Sequence, residues 1–275
     1  MTQPGFQTIT LDREGVVATI ELSRPAVHNA FNPLMIQELC QLLTQLEDDL
    51  EVRLIILSAQ GESFCSGADL EWMRESADYS VEENRKDALV LGHLMKTLYQ
   101  INKPTIARIS GSAYGGGIGL IACCDIAIAS SSAHFALTEP RLGLVPGVIS
   151  PYVVRAIGIR SARRYMLTGE KFDAATALQL GLIHQITEPD GLDQAVAYFA
   201  SHLKRGGPNA LSRTKDLIAL VDENPIDQNL ISETADRIAH ARVSHEGQEG
   251  ISSFFNRRRP SWADDEDADS ETSPL

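Results

Sequence analysis

Two short segments of small residues each follow an apolar stretch that predicts a buried strand. The segment 66-SGAD-69 comes after a strand predicted over 52–59, and 115-GGG-117 comes after one predicted over 104–110. Glycine lets backbone N–H groups at the start of a helix point at one spot without Cβ atoms in the way, and the helix dipole adds partial positive charge there. Because ligands gather at the carboxyl ends of strands in an open α/β sheet, the two segments together predict an oxyanion hole. The alternative is that the glycine turn only lets a helix pack close to a sheet.

The elements that must position these segments alternate between strand and helix. Alternating or continuous apolar runs predict strands over 6–11, 15–23, 52–59, 104–110, 123–130, 133–139 and 182–187. Helical spacing predicts helices over 32–50, 70–77, 81–101 and 173–181, with a further apolar helix after Gly117. Asn32, Asp69 and Asp173 are the predicted N-caps of three of these helices, and Gly181 is the predicted stop of the last. This alternation favours right-handed crossovers and a largely parallel sheet, and so an α/β fold.

Beyond Pro189 the pattern changes to helices alone, which are predicted over 191–205, 208–223 and 226–243. We therefore expect a core over 1–190 and a helical subdomain over 191–262 that packs on the core or on another copy of the chain. The tail 263–275 contains the acidic run 264-DDEDADSE-271, which predicts a solvated, disordered end.

Composition and charge argue against several classes of protein. The chain has 275 residues, 43% of them hydrophobic, and a net charge of −13, so we expect a globular fold and little affinity for nucleic-acid phosphates. No apolar run reaches membrane-spanning length without glycine or a charge, and the first residues lack a basic region followed by an apolar core, so we expect a soluble cytoplasmic protein. The cysteines form no C-x-x-C pair, so no metal site is expected. Cys65 has no histidine placed near it by sequence, so a structural thiol is favoured over a nucleophile.

Six segments in order along the chain resemble the crotonase family, the enoyl-CoA hydratases and isomerases. They are 24-RPAVHNAF-31, 64-FCSGADL-70, 111-GSAYGGGIGLIACCDIAIAS-130, 134-HFALTEPRLGLVP-146, 168-TGEKFDAATALQLGLI-183 and 246-EGQEGISSFFNRRRPSW-262. Within the family, 119–129 and 148–158 most resemble bacterial methylglutaconyl-CoA and isohexenylglutaconyl-CoA hydratases. The resemblance implies a crotonase-like ββα spiral core with a helical C-terminal subdomain. It also implies a homotrimer or a dimer of trimers.

The resemblance assigns site residues as well. It implies that the N–H groups of Ala68 and Gly116 hold the thioester oxygen of an acyl-CoA, where negative charge develops in the reaction. Coenzyme A is then part of the substrate, and no separate cofactor is expected. The residues that would line the acyl-CoA site are Ala26, Val27, Ser66, Ala68, Asp69, Leu70, Gly115 and Gly116.

Glu139 matches the family glutamate that acts as general acid and base. Apolar surroundings can raise a carboxyl pKa towards neutrality, which suits proton exchange at working pH. The alternative is an ordinary strand-end glutamate paired with Arg141. Many family hydratases carry a second glutamate where this chain has Gly119, so one acid must suffice here, and we expect the glycine to leave room for a water. Gly147 stands where family dehalogenases have aspartate, which argues against that chemistry.

The expected function is hydration of a branched 2-enoyl-CoA of the methylglutaconyl type, as in leucine or acyclic terpene catabolism. Isomerisation of the double bond, which also needs one acid, is the alternative within the family. From another class, RNA binding by the helix over 32–50 is disfavoured because that helix contains no lysine or arginine. A non-catalytic scaffold is disfavoured because Glu139 is present.

Overall fold

The computed structural model describes residues 5–263, in which ten strands and ten helices are found. The strands are β1 (Ile9–Glu14), β2 (Val17–Leu22), β3 (Leu54–Ala59), β4 (Ser63–Cys65), β5 (Thr105–Ile109), β6 (Ser112–Tyr114), β7 (Ile126–Ser130), β8 (His134–Ala136), β9 (Phe172–Asp173) and β10 (Gln185–Thr187). The helices are α1 (Pro33–Asp48), α2 (Leu70–Ser76), α3 (Val81–Gln100), α4 (Gly116–Cys123), α5 (Ser150–Thr168), α6 (Ala174–Leu180), α7 (Leu192–Arg205), α8 (Pro208–Glu223), α9 (Gln228–Val243) and α10 (His245–Phe255).

Two sheets build the core. The larger has the order β1-β2-β3-β5-β7-β10, and all its pairs are parallel except β1 with β2. The smaller has the order β4-β6-β8-β9. Each of the pairs β3–β4, β5–β6 and β7–β8 places one strand in each sheet, and a helix follows every pair. The chain therefore winds as the ββα spiral that the family resemblance implies.

The first helix shows how local signals set these elements. The Asn32 side chain accepts the Met35 N–H as an N-cap, and Pro33 occupies the first helical position, where its missing N–H costs nothing. The apolar stripe of α1 is buried against the core, at Met35, Ile36, Leu39, Leu42, Leu43 and Leu46. The predicted caps of α6 are confirmed too, with Asp173 at its start and Gly181 at its end.

Several boundaries differ from prediction. The first hairpin turns at residues 15–16 rather than 12–15, because β1 is an edge strand whose polar residues can face solvent. The segment 123–125 is not strand, since Cys123 still belongs to α4. Glu139 lies not on a strand but at the start of a 3-10 turn over Glu139–Leu142. Strand β8 already ends at Ala136, and Pro140 lies in the first turn of this 3-10 helix, where its missing N–H is tolerated.

Two helices, α5 and α10, were not predicted individually from the sequence patterns. Helix α5 contains Gly158 at φ 73° and ψ 154°, so it is two helical pieces joined at a kink and has no continuous apolar stripe. Helix α10 begins at the Ser244 N-cap and ends after Phe255, inside the predicted helical subdomain but at a place where no individual helix was predicted.

The described chain divides into two compact units. One contains residues up to 101 and 105–196, and the other contains 102–104 and the residues from 197 onward. The division therefore falls inside α7 rather than at the predicted 190/191 boundary. Within the second unit the Glu246 carboxylate accepts the N–H groups of Asn209 and Ala210 at the start of α8. The acidic tail predicted over 263–275 lies, except for Ala263, outside the described residues.

Candidate functional site

The peptide that joins Gly67 to Ala68 is fixed through its carbonyl and leaves its N–H free. The Phe31 N–H donates to the Gly67 carbonyl at 2.7 Å, and the Asp69 N–H donates to the Phe31 carbonyl at 2.8 Å. Carbonyl and N–H of a trans peptide point in opposite directions, so the Ala68 N–H points away from Phe31. Within residues 5–263 it donates to no acceptor.

The peptide that joins Gly115 to Gly116 is fixed in the same way. The Gly115 carbonyl accepts the Ile118 N–H at 3.0 Å and the Gly119 N–H at 3.4 Å, which form the first turn of α4. Gly115 has φ 50° and ψ −119°, a conformation that residues with a Cβ rarely adopt. The Gly116 N–H consequently points out of the helix N-terminus, and it too has no acceptor in the described part of the chain.

Close approach of the backbones brings the two peptides together. A Cβ added to Gly67, whose φ is 90°, would lie 3.2 Å from the Tyr114 carbonyl oxygen and 3.7 Å from the Gly116 nitrogen. A Cβ added to Gly116 would lie 2.8 Å from the Phe31 ring. The glycines are therefore needed for contact between the loops, and both free donors lie in one small region.

Phe31 is a residue that the sequence reasoning did not single out. Its backbone holds both sides of Ala68, and its ring limits the space at Gly116. The available signal was its place at the end of the segment 24–31, which lies next to the 66–69 loop through the Phe31–Ala68 bridge.

Glu139 lies directly against these peptides. A Cβ added to Gly115 would lie 3.0 Å from Glu139 Oε1. Oε2 is buried and has no hydrogen-bond partner within residues 5–263, and burial raises the pKa of this carboxyl above its ordinary value. The alternative ion pair with Arg141 is not formed among the described residues. A partly desolvated carboxyl with one oxygen left without a partner in the described chain is suited to exchanging a proton with a ligand.

The position of Gly119 is closed. A Cβ added there would lie 2.3 Å from Ile149 Cγ2 and 3.3 Å from Met95 Cε. The expectation that this glycine leaves room for a water is therefore wrong, because side chains of α3 and of the residue before α5 fill the space. No second carboxylate can project from this position without displacing Ile149.

The residues expected to bind coenzyme A lie at the surface beside this site. Ala26 and Val27 form an exposed 3-10 turn, and Leu70, at the start of α2, is also exposed. The Ser66 N–H donates to the His28 carbonyl at 3.0 Å, and this bond links the 66–69 loop to the segment that contains Ala26 and Val27. The assignment of these residues to the ligand stays a prediction. Asp69 differs from them because it is 7% exposed and engaged by protein groups.

Other chemistries find no support in the described chain. Burial raises the pKa of the Cys65 thiol to about 12, so the nucleophilic thiolate is not formed at neutral pH. Within residues 5–263 no group of three or more His, Cys, Asp and Glu side chains could hold a metal ion. In the same part of the chain, the helices are too short or too polar to cross a membrane.

Known proteins share the sequence pattern and the fold of this chain. A profile of the family described as Enoyl-CoA hydratase/isomerase matches residues 12–265. A short-chain-enoyl-CoA hydratase of Clostridium acetobutylicum is 30% identical over 256 residues, which are 92% of this chain and 97% of that protein. A solved enoyl-CoA hydratase from Shewanella pealeana has a TM-score of 0.91 and 45% identity, covering 94% of this chain and 96% of its own. Pseudomonas aeruginosa AtuE has a TM-score of 0.90 and 35% identity, covering 94% and 100%.

Proposed function

The chain belongs to the enoyl-CoA hydratase/isomerase family, and we propose that its site adds water to a branched 2-enoyl-CoA thioester of the methylglutaconyl type. The observation that carries the proposal is a half-buried Glu139 carboxyl whose Oε2 has no partner within residues 5–263, next to two fixed N–H donors that also lack an acceptor there. The acyl type rests on the resemblance of 119–129 and 148–158 to methylglutaconyl-CoA and isohexenylglutaconyl-CoA hydratases.

The two donors stabilise the charge that develops during addition. When water attacks the β-carbon of the acyl group, electrons move to the thioester oxygen and form an enolate. The Ala68 and Gly116 N–H groups hold that oxygen, and the α4 dipole favours its negative charge. One such fixed donor typically lowers the barrier by about 3 kcal/mol.

Glu139 moves the protons. Its carboxylate takes a proton from the attacking water, and the resulting carboxylic acid then gives that proton to the α-carbon. The carboxylate is regenerated and one water has been added to one face of the double bond. A raised pKa makes the carboxylate a stronger base for the first step, and the neutral acid is less costly to hold in a buried site.

Isomerisation of the double bond is a second candidate because of the contacts at Gly119. Ile149 and Met95 make that side of the site apolar. A dry single acid could carry a proton between the α- and γ-carbons without adding water. Hydration ranks first because the segments of this chain resemble hydratases more closely, and the two oxygens of Glu139 are enough to activate water and return the proton.

A panel of thioesters tests the acyl group. Purified protein would be incubated with crotonyl-CoA, 3-methylcrotonyl-CoA and 3-methylglutaconyl-CoA, and the products read by mass. We expect the highest kcat/KM with 3-methylglutaconyl-CoA and a product heavier by one water. A preference for the unbranched crotonyl-CoA would contradict the branched acyl assignment while leaving hydration in place.

A further inference from the structure

Asp69 is buried in an ion pair beside the oxyanion loop. Its Oδ2 lies 2.8 Å from Arg24 Nη2, and its Oδ1 accepts the Glu71 N–H at 2.8 Å. The side chains of Asp69 and Arg24 are only 10% and 19% exposed. Burial alone would raise the pKa of Asp69, but the Glu71 N–H and the Arg24 guanidinium lower it below its ordinary value. The carboxylate is thus charged at neutral pH and committed to protein groups.

Arg24 is itself held by the segment that ends at Phe31. Its backbone N–H donates to Asn29 Oδ1 at 2.8 Å, and its guanidinium donates to the Ala30 carbonyl. Asn29 is fully buried with φ 54°, and its amide group donates to the carbonyls of Gln60 and Ser63, both at 2.8 Å. The guanidinium therefore has a fixed position from which it can fix Asp69.

The ion pair and the backbone bonds act on the same peptide. The backbone of Phe31 forms hydrogen bonds with Gly67 on one side of Ala68 and with Asp69 on the other. Arg24 joins the 29–31 segment to Asp69 a second time, through side chains. We propose that the Arg24–Asp69 pair is a positioning device that fixes the direction of the Ala68 N–H in the oxyanion hole. This inference rests on the proposed function of the Ala68 N–H.

Asp69→Asn is the sharpest variant, because asparagine is as good an N-cap as aspartate and keeps the bond to Glu71 while losing the charge. We expect kcat to fall about 10- to 100-fold with KM within about 3-fold, since misplacing a donor that strengthens in the transition state costs turnover rather than binding. Arg24→Gln should match it, and Arg24→Lys should restore part of kcat. A rise in KM with unchanged kcat would instead mean that Asp69 contacts the ligand, and would overturn the proposal.

A spectroscopic measurement separates positioning from general damage. Bound cinnamoyl-CoA should absorb at longer wavelength than the free thioester when its carbonyl is polarised by the two donors. We expect this red shift in the parent and a smaller one in Asp69→Asn. The matched control is Arg13→Gln, which removes another partly buried Arg–Asp pair, to Asp49, and should keep the parent's shift and kcat.

The outcomes remain distinguishable if a variant fails to fold. In that case Arg24→Gln and Arg24→Lys are compared, and a parent-sized red shift in a folded Arg24→Gln protein would overturn the proposal. A parent that shifts cinnamoyl-CoA but hydrates no thioester would contradict the proposed function. A reduced shift in Asp69→Asn would still support the positioning role, because the shift requires only acyl-CoA binding.

Discussion

Glu139 is placed in the site by a 3-10 turn and not by a strand. Strand β8 ends at Ala136, and the 3-10 turn that begins at Glu139 places the carboxyl against Gly115. The buried Oε2 lacks a partner within residues 5–263, which costs the folded state stability and leaves the oxygen available to a ligand. We therefore expect that replacing Glu139 lowers turnover and raises the stability of the fold at neutral pH.

Replacing the acid should remove catalysis. Glu139→Gln keeps the size of the side chain but cannot exchange a proton, so we expect kcat to fall about 10²- to 10⁴-fold. Circular dichroism should show the parent fold. Turnover within a few-fold of the parent would remove Glu139 from the mechanism.

The same variant should be more stable than the parent at neutral pH. Glu139 has a raised pKa in the folded state, so its contribution to stability is fully present below the ordinary value of 4.5 and is lost as pH rises through the folded pKa. The uncharged glutamine does not lose this contribution. We expect the Tm of Glu139→Gln to match the parent near pH 4 and to exceed it at pH 8. A gap that is constant with pH would contradict the raised pKa.

At the scale of elements, the site depends on glycines with positive φ that precede the two donors. In Gly67→Ala, positive φ costs about 1–2 kcal/mol, and the new Cβ would approach the Tyr114 carbonyl at 3.2 Å. We expect the Ala68 peptide to rotate and kcat to fall about 10- to 100-fold.

Gly15→Ala is the matched control for this prediction. Gly15 also has positive φ, at 54°, but nothing lies within 4 Å of an added Cβ. It should lose similar stability, measured by urea unfolding, and keep the parent kcat. Equal losses of kcat in both variants would mean that backbone strain alone, and not the Ala68 donor, explains the effect.

The sequence predictions succeed where a contact joins residues that are close along the chain, and fail where it joins residues that are far apart. The caps at Asn32, Asp69 and Asp173 are contacts within three residues, and all three are present as predicted. The contact between Gly119 and Ile149 joins residues thirty positions apart, so glycine alone could not show that the space is filled. The Arg24–Asp69 pair was missed for the same reason.

At the scale of the whole molecule, the second unit exposes several large apolar side chains to solvent. Large side chains more than 40% exposed include Ile218, Ile238, Ile251, Phe254 and Phe255. We propose that this surface is covered in a homotrimer or a dimer of trimers, because a closed ring hides one such face on every copy. Light scattering should give three or six times the chain mass, and a stable monomer at micromolar concentration would contradict it.

The net charge of −13 also bears on nucleic-acid partners. Helix α1 contains no lysine or arginine, so it offers no cations to displace counterions from phosphates. The absence of useful RNA affinity stays a prediction from charge.

Isotope labelling can follow the oxygen of water into the product and so tests hydration itself. The protein would be incubated with a 2-enoyl-CoA in H₂¹⁸O, beginning with 3-methylglutaconyl-CoA, and the thioester products would be analysed by mass spectrometry. Hydration at this site predicts a 3-hydroxyacyl-CoA that contains one ¹⁸O and whose formation is lost in Glu139→Gln. A product of unchanged mass with a shifted double bond, and no hydrated species at equilibrium, would contradict it and assign the site to isomerisation.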